Sequence, residues 1–209
     1  IIDIIGAGLG LILLSPIIAI VACAVKFTSK GPIFFSQKRV GKNGELFEMY
    51  KFRSMVVNAE ELKENLEEQN EMSGPMFKIK DDPRITKVGK FIRKTSIDEL
   101  PQLWNVLKGD MSLVGPRPER PELAKVITKN IPEFTYRLKV KAGLTGYAQI
   151  YGRYCTTSYD KLKLDLTYIR KYSIWLDLQL ILMTIKVLFM RESTDGFEDG
   201  KWEDPALKG

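Results

Sequence analysis

The chain has 209 residues, 44% of them hydrophobic, with 32 basic and 26 acidic side chains, a formal net charge of +6 and a pI near 9.2. That is enough material for one sizeable core, and the basic balance suits anionic partners such as lipid headgroups, nucleotides, pyrophosphates or nucleic acid. The chain contains no histidine, which excludes His-based triads and His-ligated zinc and leaves acid–base or nucleophilic work to Asp, Glu, Lys, Tyr or Cys.

Residues 1–25 carry a single charge, Asp3. As one helix they would run about 37 Å, enough to cross a bilayer. Neither a basic start nor a small-residue cleavage site marks a signal peptide. Ser15-Pro16 lies near the centre, and a proline removes one backbone donor and crowds the preceding turn. Each half is then roughly 20 Å, too short to span alone. Two topologies fit: a spanning helix kinked at the proline, or a re-entrant helix-break-helix that returns to its side of entry. Lys26, Lys30, Lys38, Arg39 and Lys42 follow closely and place the C-terminal end of the segment in the cytoplasm. A chain that opens at Ile1, inside a hydrophobic stretch, reads as a piece of a longer protein. Cys23 sits in this apolar run and Cys155 far from it, so no disulfide framework is expected and a reducing compartment fits.

Beyond the segment, residues 33–36 and 46–50 read as short strands around a turn at 41–44. Residues 57–72 form an acidic, solvent-facing helix pattern that Gly74-Pro75 ends, and 84–94 are basic. Residues 98–108 are amphipathic and end at Gly109, a suitable residue after a helix C-cap. Trp104, Leu103 and Leu107 are expected on the core face of that helix. A proline-rich loop occupies 114–122, and 159–171 is a further amphipathic helix. Residues 174–190 are apolar but hold Asp177, Gln179 and Lys186, which suits a helix in the membrane interface or the core better than a second span. The tail after Arg191 is polar and reads as loose.

The densest chemistry lies in residues 93–117. Asp98 and Glu99 stand together before Pro101, near a helix start. One reading is structural: Ser96-x-x-Glu99 fits a capping box, and the helix dipole favours acids there. The other is catalytic. Arg93 and Lys94 precede the acids and Arg117 follows on a Pro-Arg-Pro turn, so fixed guanidinium groups could grip phosphate. A carboxylate is also a competent nucleophile toward phosphorus and a ligand for Mg²⁺.

Long blocks of the sequence decide the matter further: SQKRVGKNGELFEMYKFRSM at 36–55, KTSIDELPQLWNVLKGDMSLVGPRP at 94–118, KAGLTGYAQIYGR at 141–153 and KLKLDLTYI at 161–169. With the Ser15-Pro16 segment, they closely resemble the bacterial sugar transferases, the monotopic polyprenyl-phosphate phosphoglycosyl transferases. Residues 74–86 resemble the larger members, which carry further N-terminal membrane helices and another domain.

The resemblance implies an α+β, mostly helical fold. A re-entrant membrane hairpin would occupy 1–27 and a cytoplasmic catalytic domain with interfacial helices 28–192, followed by a polar tail at 193–209. It implies transfer of a hexose-1-phosphate, glucose or galactose favoured, from a UDP-sugar to undecaprenyl phosphate with release of UMP, at the cytoplasmic face of the bacterial inner membrane. Asp98 would be nucleophile and Mg²⁺ ligand, and Glu99 its acid–base partner. Lys51, Arg93, Arg117, Arg153 and Asp165 would line the substrate site, and Ser15 and Pro16 would form the membrane break. Inner-membrane lipids would be partners, self-association into a homo-oligomer stays open, and nucleic acid is not expected. The alternative within the family is an inactive scaffold for polysaccharide assembly, which predicts a lost acid or arginine.

Overall fold

The computed structural model describes residues 1–64, 66, 70, 79, 81–152, 157–189 and 204–207. It is mostly helical, and the described strands form two separate two-stranded sheets.

Helix α1 runs unbroken from Ile2 to Thr28 with Pro16 inside it. This differs from the expected helix-break-helix, and the carbonyl that Pro16 leaves without a donor is satisfied locally. Pro16 offers no N–H to the carbonyl of Ile12, and the Ser15 hydroxyl donates to that carbonyl instead, at 2.7 Å. The helix is long and apolar enough to cross a membrane. It also lies along the rest of the protein. Ala7, Leu11 and Leu14 meet Met49, Leu103, Val106 and Met111. Farther on, Ile18, Val21, Ala22 and Val25 meet Phe52, Val88, Ile92 and Ile97. These positions recur every three or four residues, a single stripe. At its start, the Asp3 carboxylate accepts from the Ser112 hydroxyl and the Leu113 N–H, both at 2.9 Å. The opposite face, including Leu9, Ile12, Leu13 and Ile20, is uncovered.

Strands β1 (Phe34–Val40) and β2 (Leu46–Phe52) pair antiparallel, Phe34 opposite Phe52 and Val40 opposite Leu46. They extend past the sequence-predicted limits because Gln37-Lys38-Arg39 continues the ladder with polar side chains. Asn43 and Gly44 adopt positive φ, 56° and 83°, in the connecting 3₁₀ turn. Such backbone favours these two residue types. Of the acidic pattern at 57–72, residues 57–60 form a turn and not a helix, helix α2 spans Glu61–Glu64, and most of 65–72 lies outside the described residues.

Helix α3 (Lys87–Lys94) is capped by the Thr86 side chain, which accepts from Gly89 N–H. A 3₁₀ turn at Ile97–Glu99 follows, and α4 spans Gln102–Lys108. The helix therefore begins later than expected, leaving Asp98 and Glu99 in the turn ahead of it. Its sides are also not as expected. Leu103 is buried and Leu107 half-buried, but Trp104 is exposed. Short α4 lies between α1 and β2, with Gln102, Leu103, Asn105 and Val106 facing inward, which leaves the Trp104 direction outside.

Strand β3 (Met111–Val114) pairs in parallel with β4 (Ala142–Thr145). Between them come α5 (Pro121–Asn130) and a 3₁₀ stretch at Pro132–Lys139. Helices α6 (Tyr147–Tyr151), α7 (Ser158–Arg170) and α8 (Ile174–Phe189) complete the order. Helix α8 buries Leu180 and exposes Ile174, Trp175, Leu178, Leu182 and Ile185. Residues 204–207 are not loose: Asp204 accepts from the Ser158 N–H and hydroxyl, and Leu207 joins the core of α5 and α7.

Candidate active site

Four elements converge on the Asp98-Glu99 pair. Strand β2 brings Lys51, which shares a face with Met49 by the two-residue period of a strand. Asn105 on α4, fully buried, fixes that strand: its side-chain oxygen accepts from Tyr50 N–H at 3.0 Å and its amide donates to the Glu48 carbonyl at 2.7 Å. Helix α3 brings Arg93, whose Nε donates to the Ser54 hydroxyl at 2.7 Å. Gly89, one turn earlier, lets α3 come close enough: a Cβ there would lie 1.9 Å from the Ser54 carbonyl oxygen. The loop after β3 brings Arg117. The turn itself is entered through Ser96 at φ 55°, a left-handed conformation uncommon for serine.

The two acids have opposite surroundings. Glu99 Oε1 lies 2.7 Å from Lys51 Nζ and 2.6 Å from Arg117 Nη2, and Arg117 Nη1 also donates to Oε2 at 3.4 Å. Burial alone would raise the Glu99 pKa, but Arg117 and Lys51 outweigh it and hold the carboxyl down to about 2. Asp98 is 8% exposed and has no hydrogen-bond partner among the described residues. Burial pushes its pKa up, partly offset by Lys51. Burial likewise lowers Lys51, with Glu99 opposing. Adjacent carboxyls with diverging pKa values are a signature of divided roles. The structural capping box does not form: Ser96 makes no side-chain cap, and the Glu99 carboxylate is taken by cations.

Of the sequence-predicted site residues, Lys51, Glu99 and Arg117 are in direct contact, and Asp98 and Arg93 stand beside them within electrostatic reach. Arg153 lies outside the described residues, as does Cys155. Asp165 is not in this contact set. It is 1% exposed and bound by Arg137, with Nε at 2.9 Å and Nη2 at 2.7 Å from Oδ2. Arg39, expected among the charges at the membrane edge, instead reaches inward, and its Nη1 donates to the Pro118 carbonyl at 3.1 Å. Sequence reasoning missed Asn105 and Arg137. A lone arginine and a lone asparagine carry no local pattern that separates them from surface residues.

No group of three or more Asp, Glu or Cys side chains able to hold a metal occurs among the described residues. Mg²⁺ commonly takes only one or two protein carboxylates and completes its shell with water and substrate phosphate oxygens. The Asp98 carboxylate, unpartnered among the described residues, fits that mode; Glu99, engaged by two cations, does not.

The sequence profile described as bacterial sugar transferase matches residues 1–191. The galactosyl transferase CpsE of Streptococcus agalactiae serotype III is 53% identical over 189 residues, covering 90% of this chain and 41% of the relative. The UDP-glucose:undecaprenyl-phosphate glucose-1-phosphate transferase of Klebsiella pneumoniae is 46% identical over 196 residues, 91% of this chain and 40% of the relative. The UDP-N-acetylgalactosamine-undecaprenyl-phosphate N-acetylgalactosaminephosphotransferase of Aeromonas hydrophila is 41% identical over 189 residues, 89% and 42% respectively. The chain thus spans about two fifths of the length of these curated relatives. On the profile match and these identities, the chain belongs to the bacterial sugar transferase family.

Proposed function

We propose that the chain forms the catalytic part of a phosphoglycosyl transferase that moves a hexose-1-phosphate from a UDP-sugar to undecaprenyl phosphate. The activities named for the Klebsiella and Aeromonas relatives support the reaction class, and glucose and galactose, the sugars in the names of the Klebsiella and Streptococcus relatives, are favoured. The observation that carries the reading is an Asp98 carboxylate without a hydrogen-bond partner among the described residues, beside a Glu99 bound to Lys51 and Arg117. An Asp98 oxygen attacks the β-phosphorus of the UDP-sugar. The bond from that phosphorus to the bridging oxygen breaks, and the electron pair leaves with UMP. An oxygen of undecaprenyl phosphate then attacks the same phosphorus and returns the Asp98 carboxylate.

Glu99 holds Lys51 and Arg117 in place, and donors not spent on Glu99 are available to phosphate oxygens. Arg93, with only its Nε engaged among the described residues, adds charge from α3. Bound Mg²⁺ would neutralise pyrophosphate charge next to Asp98. An inactive scaffold lacks support, since both acids and Arg117 are present and assembled.

The membrane placement belongs to the same proposal. Both ends of α1 touch the catalytic part, at Leu113 and at Ile92, which supports a helix whose ends face one side, the cytoplasm. The uncovered apolar face of α1, with the exposed Ile174, Trp175 and Leu182 on α8, supports immersion of both in one leaflet and its interface. Incubation with undecaprenyl phosphate and a panel of UDP-sugars should release UMP in a Mg²⁺-dependent manner. Stoichiometric UDP in place of UMP would mean glycosyl transfer and refute the assignment.

A further inference from the structure

We propose that Arg137 and Asp165 are positioning residues for the loop that carries Arg117, with Asp165 serving phosphate recognition through Arg137 and never touching substrate. This rests on the phosphoglycosyl-transfer reading of the Asp98 site. The loop contains Pro116 and Pro118 on either side of Arg117, and neither proline has an N–H. Such a segment has few donors for a backbone ladder of its own, so its carbonyls depend on partners outside it. Pro116 accepts from Gly143 N–H at 2.9 Å, and Glu119 from Val40 N–H at 3.0 Å. The two in between are held by side chains: Arg117 by Arg137 Nη2 at 2.9 Å and Pro118 by Arg39 Nη1 at 3.1 Å.

Arg137 is 4% exposed, and a buried guanidinium needs a fixed counter-charge. Asp165 on α7 supplies it, holding Nε and Nη2 with one oxygen, while Glu119 Oε1 lies 3.7 Å from Nη1. The same Nη2 therefore joins Asp165 to the Arg117 carbonyl. Arg117 is gripped at its backbone by Arg137 and at its guanidinium by Glu99, which fixes the direction of the side chain. A cavity of about 30 Å³ adjoins the loop, lined by Pro116, Arg117, Glu119, Phe134 and Arg137, so the loop is not tightly packed on that side. Asp165 itself is 1% exposed, out of reach of a phosphate, and its charge would repel one.

A double-mutant cycle tests this, with UMP release measured in undecaprenyl phosphate micelles and kcat/KM taken per folded enzyme. Asp165→Asn and Arg137→Lys should each lower kcat/KM about tenfold in the wild-type background but less than about twofold in an Arg117→Lys background, because the grip then holds an already impaired side chain. Arg39→Met attacks the same loop from a half-buried position, so it remains informative should the buried variants not fold; it should show a smaller loss with the same non-additivity. Losses that multiply across the two backgrounds would overturn the proposal, as would a lower melting temperature with kcat/KM of the folded fraction unchanged. If wild-type protein releases no UMP from any UDP-sugar, the transfer reading itself fails; active wild type with multiplying losses removes only the positioning role.

Discussion

Glu99→Gln separates the electrostatic account of the site from its chemistry. The substitution keeps size and shape but strips the counter-charge from Lys51 and Arg117, 2.7 and 2.6 Å away. A carboxyl held at about 2 in place of its ordinary 4.5 favours the folded state by up to about 3 kcal/mol at neutral pH. Arg117 is 45% exposed, so solvent screening brings the expected loss to about 2–3 kcal/mol. For a protein of this size that corresponds to a melting temperature lower by about 5–10 °C. The sign of the pH dependence follows from the direction of the shift. A depressed carboxyl contributes fully above its unfolded pKa and loses the contribution as pH falls toward its folded pKa. The gap between wild type and Glu99→Gln should thus be widest near pH 7 and shrink by about 1.4 kcal/mol at pH 3.5. Thermal unfolding in detergent across pH 3.5–7 measures it. A variant as stable as wild type at pH 7, or a gap that does not change with pH, would mean that Lys51 and Arg117 do not stabilise the fold through the Glu99 charge.

Arg117→Lys keeps the charge but loses the planar fork, and should lower kcat/KM about 10- to 30-fold; wild-type kinetics would make Arg117 a distant charge. Gly89→Ala pits two effects of opposite sign. Helix propensity favours alanine by about 1 kcal/mol, but a Cβ 1.9 Å from the Ser54 carbonyl forces α3 away, and a net loss of about 2–3 kcal/mol is expected. A stabilised Gly89→Ala protein would mean that α3 does not press on Ser54. For topology, Ile1→Cys and Ser29→Cys in a background without Cys23 and Cys155 should both label from the cytoplasmic side of sealed vesicles. Labelling from opposite sides would establish a spanning helix.

What was legible in the sequence was chemistry clustered along the chain. Asp98, Glu99 and Arg117 lie within twenty residues of one another, and the motif around them is long. The hairpin was legible through Asn43 and Gly44, whose turn chemistry is local. The β3–β4 pair was not, because its two four-residue strands lie far apart in sequence and pair only through tertiary contact. Helix α1 was visible as apolar but not as amphipathic. It is hydrophobic all round, so its packed stripe of Ala7, Leu14, Val21 and Val25 has no polar opposite face to mark it. At Pro16 the carbonyl of Ile12, left without an N–H donor, is satisfied by the Ser15 hydroxyl, a residue that reads from sequence as part of the break. Asp165 was singled out, but its partner Arg137 sits 28 positions away, a spacing no local pattern encodes.

The central claim is that Asp98 carries the sugar phosphate covalently. Adjacent acids could instead serve while the lipid phosphate attacks the UDP-sugar directly in a ternary complex. The Asp98 carboxylate, set among Lys51, Arg93 and Arg117 and without a hydrogen-bond partner among the described residues, favours the covalent route. Incubating the protein with UDP-sugar and Mg²⁺ in the absence of undecaprenyl phosphate, followed by rapid quenching and peptide mass spectrometry, tests it directly. One added hexose-phosphate mass is expected on the peptide containing Asp98, lost in Asp98→Asn together with UMP–UDP-sugar exchange. An unmodified peptide, no exchange and intersecting bisubstrate kinetics would contradict it.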